Sequence, residues 1–170
     1  GMIGVSGGVA CTLGQILPSQ PVLAQMALAA GGGAAIGSTI AKTIEITDLP
    51  QLVAAFHSLV GMAAVLTCVA TYIDHFPMFA TAPDATLIKT SCFLGTYIGG
   101  VTFTGSLVAY GKLQGLLNSA PLMLPGRHAL NGGLLAANVG AMGYFLMDPS
   151  FNAGISMLGA TATMSSIMGV

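Results

Sequence analysis

The chain has 170 residues, of which 54% are hydrophobic and only 5% are charged, and its formal net charge is −1. Its mean hydropathy is +0.86, whereas soluble domains carry about 25% charged residues. These values exclude a soluble domain and a basic surface for nucleic acid. They predict an all-α, polytopic transmembrane helical bundle, in which the 24 glycines let helices approach closely.

Apolar segments alternate with short polar connections along the chain. We place six of them, at residues 2–17, 22–41, 50–72, 87–110, 128–147 and from 151 onward. About 20 apolar residues cross a hydrocarbon core of ~30 Å, so most of the six have the length of a membrane span. Both ends of the chain fall within apolar sequence. We therefore expect residues 1–170 to form one incomplete part of a membrane domain.

The second segment contains a glycine run. Small residues share one helical face there: Ala30, Gly33, Gly37 and Ala41. This spacing is typical of close helix packing. A dinucleotide-binding turn is excluded, because Ile36 stands where a third glycine would be needed and no strand precedes the run.

The third segment, 50–72, holds a single ionisable side chain, His57. A titratable group inside a membrane is costly, which makes it a functional hypothesis by default. Helical spacing places Gly61 and Cys68 on the stripe of His57. The opposite stripe is bulky and apolar: Leu59, Met62, Leu66 and Val69. We expect His57 to face protein or a hydrated cavity, with the bulky stripe towards lipid.

The fourth segment is the most polar helix. One stripe of it carries small and hydroxyl residues: Gly95, Gly99, Thr102 and Ser106. Two interpretations stay open. The hydroxyls can bond back to carbonyls of their own helix while the glycines only pack. Alternatively, Ser106 lies on the same aqueous path as His57.

Other polar and sulfur-containing side chains are interpreted as structural. The three cysteines, Cys11, Cys68 and Cys92, lie singly in predicted helices without ligand-like spacing, so we expect small core residues and neither a metal site nor a disulfide framework. His75 falls in the predicted loop 73–86 and should be exposed. Asn131 and Asn138 are seven residues apart on one helix face and should hydrogen-bond between helices.

The distribution of lysine and arginine predicts the orientation in the membrane. Lys42, Lys112 and Arg127 collect on one side, and Lys89 lies near the other. The positive-inside rule assigns the first side to the cytoplasm or the mitochondrial matrix. His57 and Ser106 both lie nearer to this inner face.

Three stretches carry a family resemblance: DLPQLVAAFHSLVG at 48–61, YIGGVTFTGSLVAYGKL at 97–113 and PLMLPGRHALN at 121–131. They resemble the membrane domain of proton-translocating NAD(P) transhydrogenase, either its beta subunit or the matching region of the single-chain animal enzyme. The similarity runs through all 170 residues in the same segment order. It is closest to the mitochondrial single-chain form.

The resemblance implies an oxidoreductase in which proton movement through the membrane domain drives hydride transfer from NADH to NADP in two soluble domains. It matches His57 to the family's proton-relay histidine and Ser106 to a serine on the proton path. Bacterial relatives tend to carry a glutamate at the position of Gln51, so an acidic proton entry is not carried over. Asn131 is not the family's path asparagine, which belongs to a later helix.

The same resemblance implies the partners and the location. We expect this fragment to bind no cofactor itself and to catalyse no hydride transfer alone, because NAD(H) and NADP(H) belong to domains outside residues 1–170. Expected partners are those domains, the remaining membrane helices, the lipid bilayer and a second copy of the parent protein. The expected location is the mitochondrial inner membrane, with the bacterial cytoplasmic membrane as the alternative.

Two other classes of protein compete with this hypothesis. A fragment of another helical secondary transporter would need broken helices in paired halves, and no internal repeat is visible. A membrane anchor without a transport role would use His57 only to bond another helix. Without the family resemblance, the residues favour neither of these two over the other.

Overall fold

A computed structural model describes residues 2–121, 123–147 and 150–170. Every regular element in these ranges is helical, which confirms the predicted all-α class. The long helices are α1 (Met2–Ile16), α2 (Gln20–Thr43), α3 (Leu49–His75), α4 (Ala85–Leu113), α5 (Arg127–Met147) and α6 (Phe151–Met168). Two single 3₁₀ turns lie at Ile46–Asp48 and Phe76–Met78.

Local sequence explains where several of these helices begin. Pro21 and Pro50 stand in the first turns of α2 and α3, where a missing backbone N–H costs nothing. Before α6, the Ser150 hydroxyl accepts a hydrogen bond from the Ala153 backbone nitrogen at 3.2 Å. A serine in this position satisfies one of the unpaired donors of a helix N-terminus.

Among the described residues, three stretches are long and apolar enough to cross a membrane: Gln20–Thr43, Ile46–Met78 and Ala85–Leu113. These features confirm a helical membrane bundle. Two other helices fall short of this requirement. The helix α1 is too short, with 15 described residues, and α6 has a lower hydropathy because it is rich in Ser, Thr and Gly.

The ends of α3 differ from the prediction. The sequence placed residues 73–86 in a loop, but α3 continues through His75. A polar residue at the end of a spanning helix lies beyond the hydrocarbon layer, so polarity marks the edge of the apolar core and not the end of the helix. The placement of His75 in a loop was therefore wrong. Its ring is half-buried, and Nδ1 lies 3.1 Å from the Thr71 carbonyl oxygen.

The chain divides into two compact units, 1–46 and 47–170. The first contains α1 and α2. A Cβ added at Gly33 or Gly37 would meet no atom within 4 Å in the described part of the chain. The packing role of this glycine face stays a prediction. Cys11 is exposed, so the expectation that it is a core residue was wrong.

The second unit contains α3 to α6 around one core. Its buried apolar residues are Tyr72, Cys92, Phe93, Phe145 and Leu158. The expectation that Cys68 and Cys92 are core residues is confirmed, since Cys92 is buried and Cys68 packs against this cluster. The core lies towards the end of the α3–α4 hairpin that carries His75. We call this end the outer end. The opposite end, which carries Gln51 and Leu113, is called the inner end, because the distribution of lysine and arginine predicts that it faces the inner side of the membrane.

Candidate functional site

The helices α3 and α4 touch backbone to backbone at two glycines. A Cβ added at Gly61 would lie 2.6 Å from the Phe103 nitrogen and 2.7 Å from the Gly99 oxygen. A Cβ at Gly99 would lie 2.7 Å from the Gly61 oxygen. No side chain fits in this space, so the glycines set the closest approach of the two helices. We call Gly61, Gly99 and the Phe103 backbone the glycine seam.

A second contact fixes the register of the hairpin. At the inner end, Gln51 Nε2 donates to the Leu113 carbonyl oxygen at 3.3 Å. Because Gln51 precedes Gly61 while Leu113 follows Gly99, the two helices run antiparallel. This register determines which residues of α3 and α4 lie at the same height.

His57 and Ser106 lie at nearly the same level of the hairpin. His57 comes four residues before Gly61, and Ser106 comes three residues after Phe103. At 1.5 Å per residue these offsets are about 6 Å and about 4.5 Å, both towards the inner end. The register thus brings the two predicted site residues to one depth on neighbouring helices.

The His57 ring is exposed on the surface of the second unit. With its proton on Nδ1, the ring donates to the Val53 carbonyl oxygen, 3.1 Å away on the same helix. In that tautomer Nε2 is left as an acceptor. The described residues do not cover the ring, so its contact with protein or a hydrated cavity stays a prediction.

The buried stripe of α3 is rotated from the one that the sequence suggested. It runs through Ser58, Gly61 and Tyr72, which places His57 at its edge. Leu59 and Leu66 are exposed, as expected for a lipid-facing stripe. The other two members of that stripe, Met62 and Val69, are half-buried, and Val69 packs against the core. Their assignment to the lipid surface was wrong, because helices α4 and α6 cover more of α3 than one narrow stripe.

The hydroxyl residues of α4 differ in their hydrogen bonds. Thr96 donates back to the Cys92 carbonyl oxygen at 2.8 Å. Thr104 donates to the Gly100 oxygen at 3.2 Å and to the Ser166 oxygen of α6 at 2.7 Å. Ser106 is half-buried and makes no side-chain hydrogen bond to any residue in the described ranges. Back-bonding therefore accounts for Thr96 and Thr104 but not for Ser106.

The glycines on the stripe of Ser106 face α3. A Cβ at Gly95 would collide with Cys68 Sγ, and Gly99 lies in the glycine seam. The opposite side of α4 approaches α6 in the same manner, since a Cβ at Gly105 would lie 3.2 Å from the Gly169 carbonyl oxygen. The helix α4 is thus held on two sides by residues without bulk.

The two asparagines of α5 have different surroundings. Asn138 is buried, and its Nδ2 donates to the Leu134 oxygen of its own helix at 2.9 Å. The same nitrogen lies 4.0 Å from the Met168 sulfur of α6, a weak contact between helices. Asn131 is exposed. The predicted interhelical role thus applies in weak form to Asn138.

Sequence reasoning missed one polar contact at the inner end. Gln114 Nε2 donates to Gln51 Oε1, so both amides of this pair are engaged. In the sequence, Gln51 was notable only because bacterial relatives tend to carry a glutamate at its position. The two residues are 63 positions apart, and only the register of the hairpin shows that they meet.

The inner ends also carry two basic residues. Lys112 Nζ donates to the Ala120 carbonyl oxygen at 3.4 Å. Arg127, at the start of α5, donates through Nη1 to the Met123 sulfur. Both cations thus stand where the connecting segment 114–126 leaves α4 and enters α5.

Apolar helices of spanning length, few charges and backbone contacts between helices define an integral membrane helical domain. The family described as NAD(P) transhydrogenase beta subunit matches residues 1–170, and the chain belongs to this family. Two curated relatives carry the name NAD(P) transhydrogenase subunit beta, both from Rhodospirillum rubrum. Each is 43% identical over 132 residues, which is 75% of this chain and 28% of the relative. The chain thus spans about a quarter of the length of these relatives.

Proposed function

We propose that this chain is the membrane part of an NAD(P) transhydrogenase through which protons cross, with His57 as the relay and Ser106 on the path. The observation that carries the proposal is the common level of His57 and Ser106 on two spanning helices. The serine hydroxyl, unlike those of Thr96 and Thr104, has no bond within the described ranges and can bond to water.

The chemistry of the two groups supports this role. An imidazole titrates near neutral pH, so modest changes in its surroundings switch its charge. With Nδ1 held by Val53, the exposed Nε2 can take up and release a proton. A hydroxyl both donates and accepts, so Ser106 can orient a water molecule beside the ring.

Coupling to a chemical reaction needs partners outside this chain. In the parent enzyme, hydride passes from NADH to NADP in soluble domains while protons move inward through the membrane domain. For the two events to be coupled, the NADP(H) domain must bind two conformations of this domain with different free energies. The proposed membrane is the mitochondrial inner membrane, with the bacterial cytoplasmic membrane as the alternative, and the parent is a homodimer.

Proton uptake by vesicles during NADH-driven reduction of NADP tests the proposal. The full-length parent is compared as wild type, His57→Ala and His75→Ala. His75 provides the matched control, because it lies on the same helix at the outer end. We expect His57→Ala to lose proton uptake and coupled turnover, while hydride exchange between the isolated soluble domains continues. Wild-type proton uptake by His57→Ala would refute the relay.

A membrane anchor without a transport role is the second candidate. Its predicted bond from His57 to another helix is not among the described contacts, but the bond to Val53 is one that a histidine without a transport role can also make. An anchor predicts that His57→Gln keeps full coupled turnover, since glutamine is polar and of similar size but does not titrate. A proton relay predicts that His57→Gln fails as His57→Ala does.

A further inference from the structure

The inner ends of α3 and α4 are joined by side-chain amides. Gln51 Nε2 donates to the Leu113 carbonyl oxygen at 3.3 Å, and Gln51 Oε1 accepts from Gln114 Nε2. Leu113 is the last residue of α4, where carbonyl groups lack helical partners. We call Gln51, Gln114 and the Leu113 carbonyl the amide clamp.

The clamp stands at the start of the segment 114–126. Gln114 is its first residue, and the next, Gly115, has a φ of +70°. At the other end, Gly126 has a φ of +76°. This left-handed conformation is readily adopted by glycine, so the backbone can change direction at both ends of the segment.

The clamp also lies close to the proposed relay. Gln51 precedes His57 by six residues, which is about 9 Å along α3. Both residues belong to one uninterrupted helix. A displacement of Gln114 would therefore act on the inner part of α3 through the hydrogen bonds of Gln51.

We propose that the amide clamp is a positioning device that transmits movement of the segment 114–126 to α3 and thereby to His57. This inference rests on the proposed function. Gln51 and Gln114 are positioning residues, because they act through the helix and not on the proton itself. The hydrogen bonds of the clamp must stay formed while they transmit this movement. Their loss would therefore uncouple hydride transfer from proton movement.

Two substitutions at position 114 separate hydrogen bonding from bulk. Gln114→Ala removes the donor and the side-chain volume. Gln114→Glu keeps the volume and removes the N–H donor, so that two oxygens face each other at Gln51. The matched control is Asn118→Ala, since Asn118 Oδ1 accepts from the Ala120 nitrogen at 3.0 Å within the segment itself.

The test uses the full-length parent in vesicles and measures protons taken up per NADPH formed. We expect this ratio to fall in Gln114→Ala and in Gln114→Glu, because the loss of one hydrogen bond shifts the equilibrium between the closed and the open clamp roughly fivefold towards the open one. Asn118→Ala should keep the wild-type ratio. A purely structural role would lower the amount of assembled enzyme but not the ratio.

Other outcomes overturn the inference in distinguishable ways. A wild-type ratio in both Gln114 variants refutes the clamp while leaving the His57 relay intact. A normal ratio in Gln114→Glu with a reduced one in Gln114→Ala shows that bulk matters and the hydrogen bond does not. Wild-type pumping by His57→Ala removes the proposed function, and the clamp falls with it.

Discussion

The two ends of the α3–α4 hairpin are held by different interactions. At the outer end, the Tyr72 ring is 1% exposed and lies 5.1 Å from the Phe145 ring and 5.6 Å from the Phe79 ring. From the middle of the hairpin to its inner end, α3 and α4 meet at the glycine seam and at the amide clamp. Large aromatic surfaces hold the outer end, whereas backbone contact and a few hydrogen bonds hold the middle and the inner end.

This difference separates a densely packed aromatic end from an end with room for water beside its polar groups. Aromatic rings fill space at high density and leave no room for polar groups to exchange partners. The inner end keeps an exposed imidazole and a hydroxyl without a protein partner in the described ranges. Substitutions at the outer end should therefore affect mainly stability, and substitutions at the inner end mainly proton coupling.

The largest effect on stability is expected from Phe145→Ala. Phe145 is buried and packs against Tyr72 and Phe93, with ring centroids 5.1 Å and 5.6 Å away. Loss of the ring leaves a cavity and should lower the free energy of unfolding by about 3–5 kcal/mol. Thermal unfolding of the detergent-solubilised parent measures this, with the exposed neighbour Tyr144→Ala as the control. Equal unfolding temperatures for the two variants would show that the aromatic end does not carry the stability.

Gly61→Ala should have the next largest effect. The added methyl group meets backbone atoms of α4 that cannot move aside as a side chain can. We expect a loss of about 1–3 kcal/mol in the free energy of unfolding, the usual cost of overpacking. Coupled turnover should also fall, because the seam sets the level of His57 against Ser106. Gly132→Ala is the control, since a Cβ at Gly132 meets nothing within 4 Å.

Sequence periodicity predicted the helices of this chain but not which helices pack against one another. Hydropathy located α2, α3 and α4, and helical spacing gave the glycine stripe on α4, although not the helix that it faces. It could not show that Met62 and Val69 are covered, because the width of a buried stripe depends on how many helices pack against it. It also ended α3 too early, since a polar residue such as His75 can remain helical outside the hydrocarbon layer.

The candidate site was predicted in its residues but not in its geometry. His57 and Ser106 stand out as polar residues in apolar helices, and family resemblance assigned them a role. Their common level follows only from the glycine seam and the bond between Gln51 and Leu113. The pair of Gln51 and Gln114 has no local signal, because each amide is ordinary in a polar connection.

Ser106→Ala should affect coupling and spare stability. Within the described ranges no protein hydrogen bond is lost, so unfolding should change by less than about 0.5 kcal/mol. Proton-coupled turnover should fall roughly tenfold if the hydroxyl orients a proton-carrying water. The contrasting variant is Thr104→Val, which loses the bond to Ser166 and should lower stability by about 1 kcal/mol while coupling continues. The opposite pattern in these two variants would assign the path to Thr104.

The smallest effect is expected at the outer end, at Lys89. Its ammonium lies 5.2 Å from the centroid of the Phe79 ring, within the range of a cation–π contact. Lys89→Met keeps most of the apolar stem and removes the charge, which should lower the free energy of unfolding by about 0.5–1 kcal/mol. Lys89→Arg keeps a cation over the ring and should unfold as the wild type does. Coupled turnover should stay unchanged in both, since the outer aromatic end contributes to stability and not to the proton step. A loss of proton uptake in Lys89→Met at normal stability would show instead that the outer end takes part in coupling.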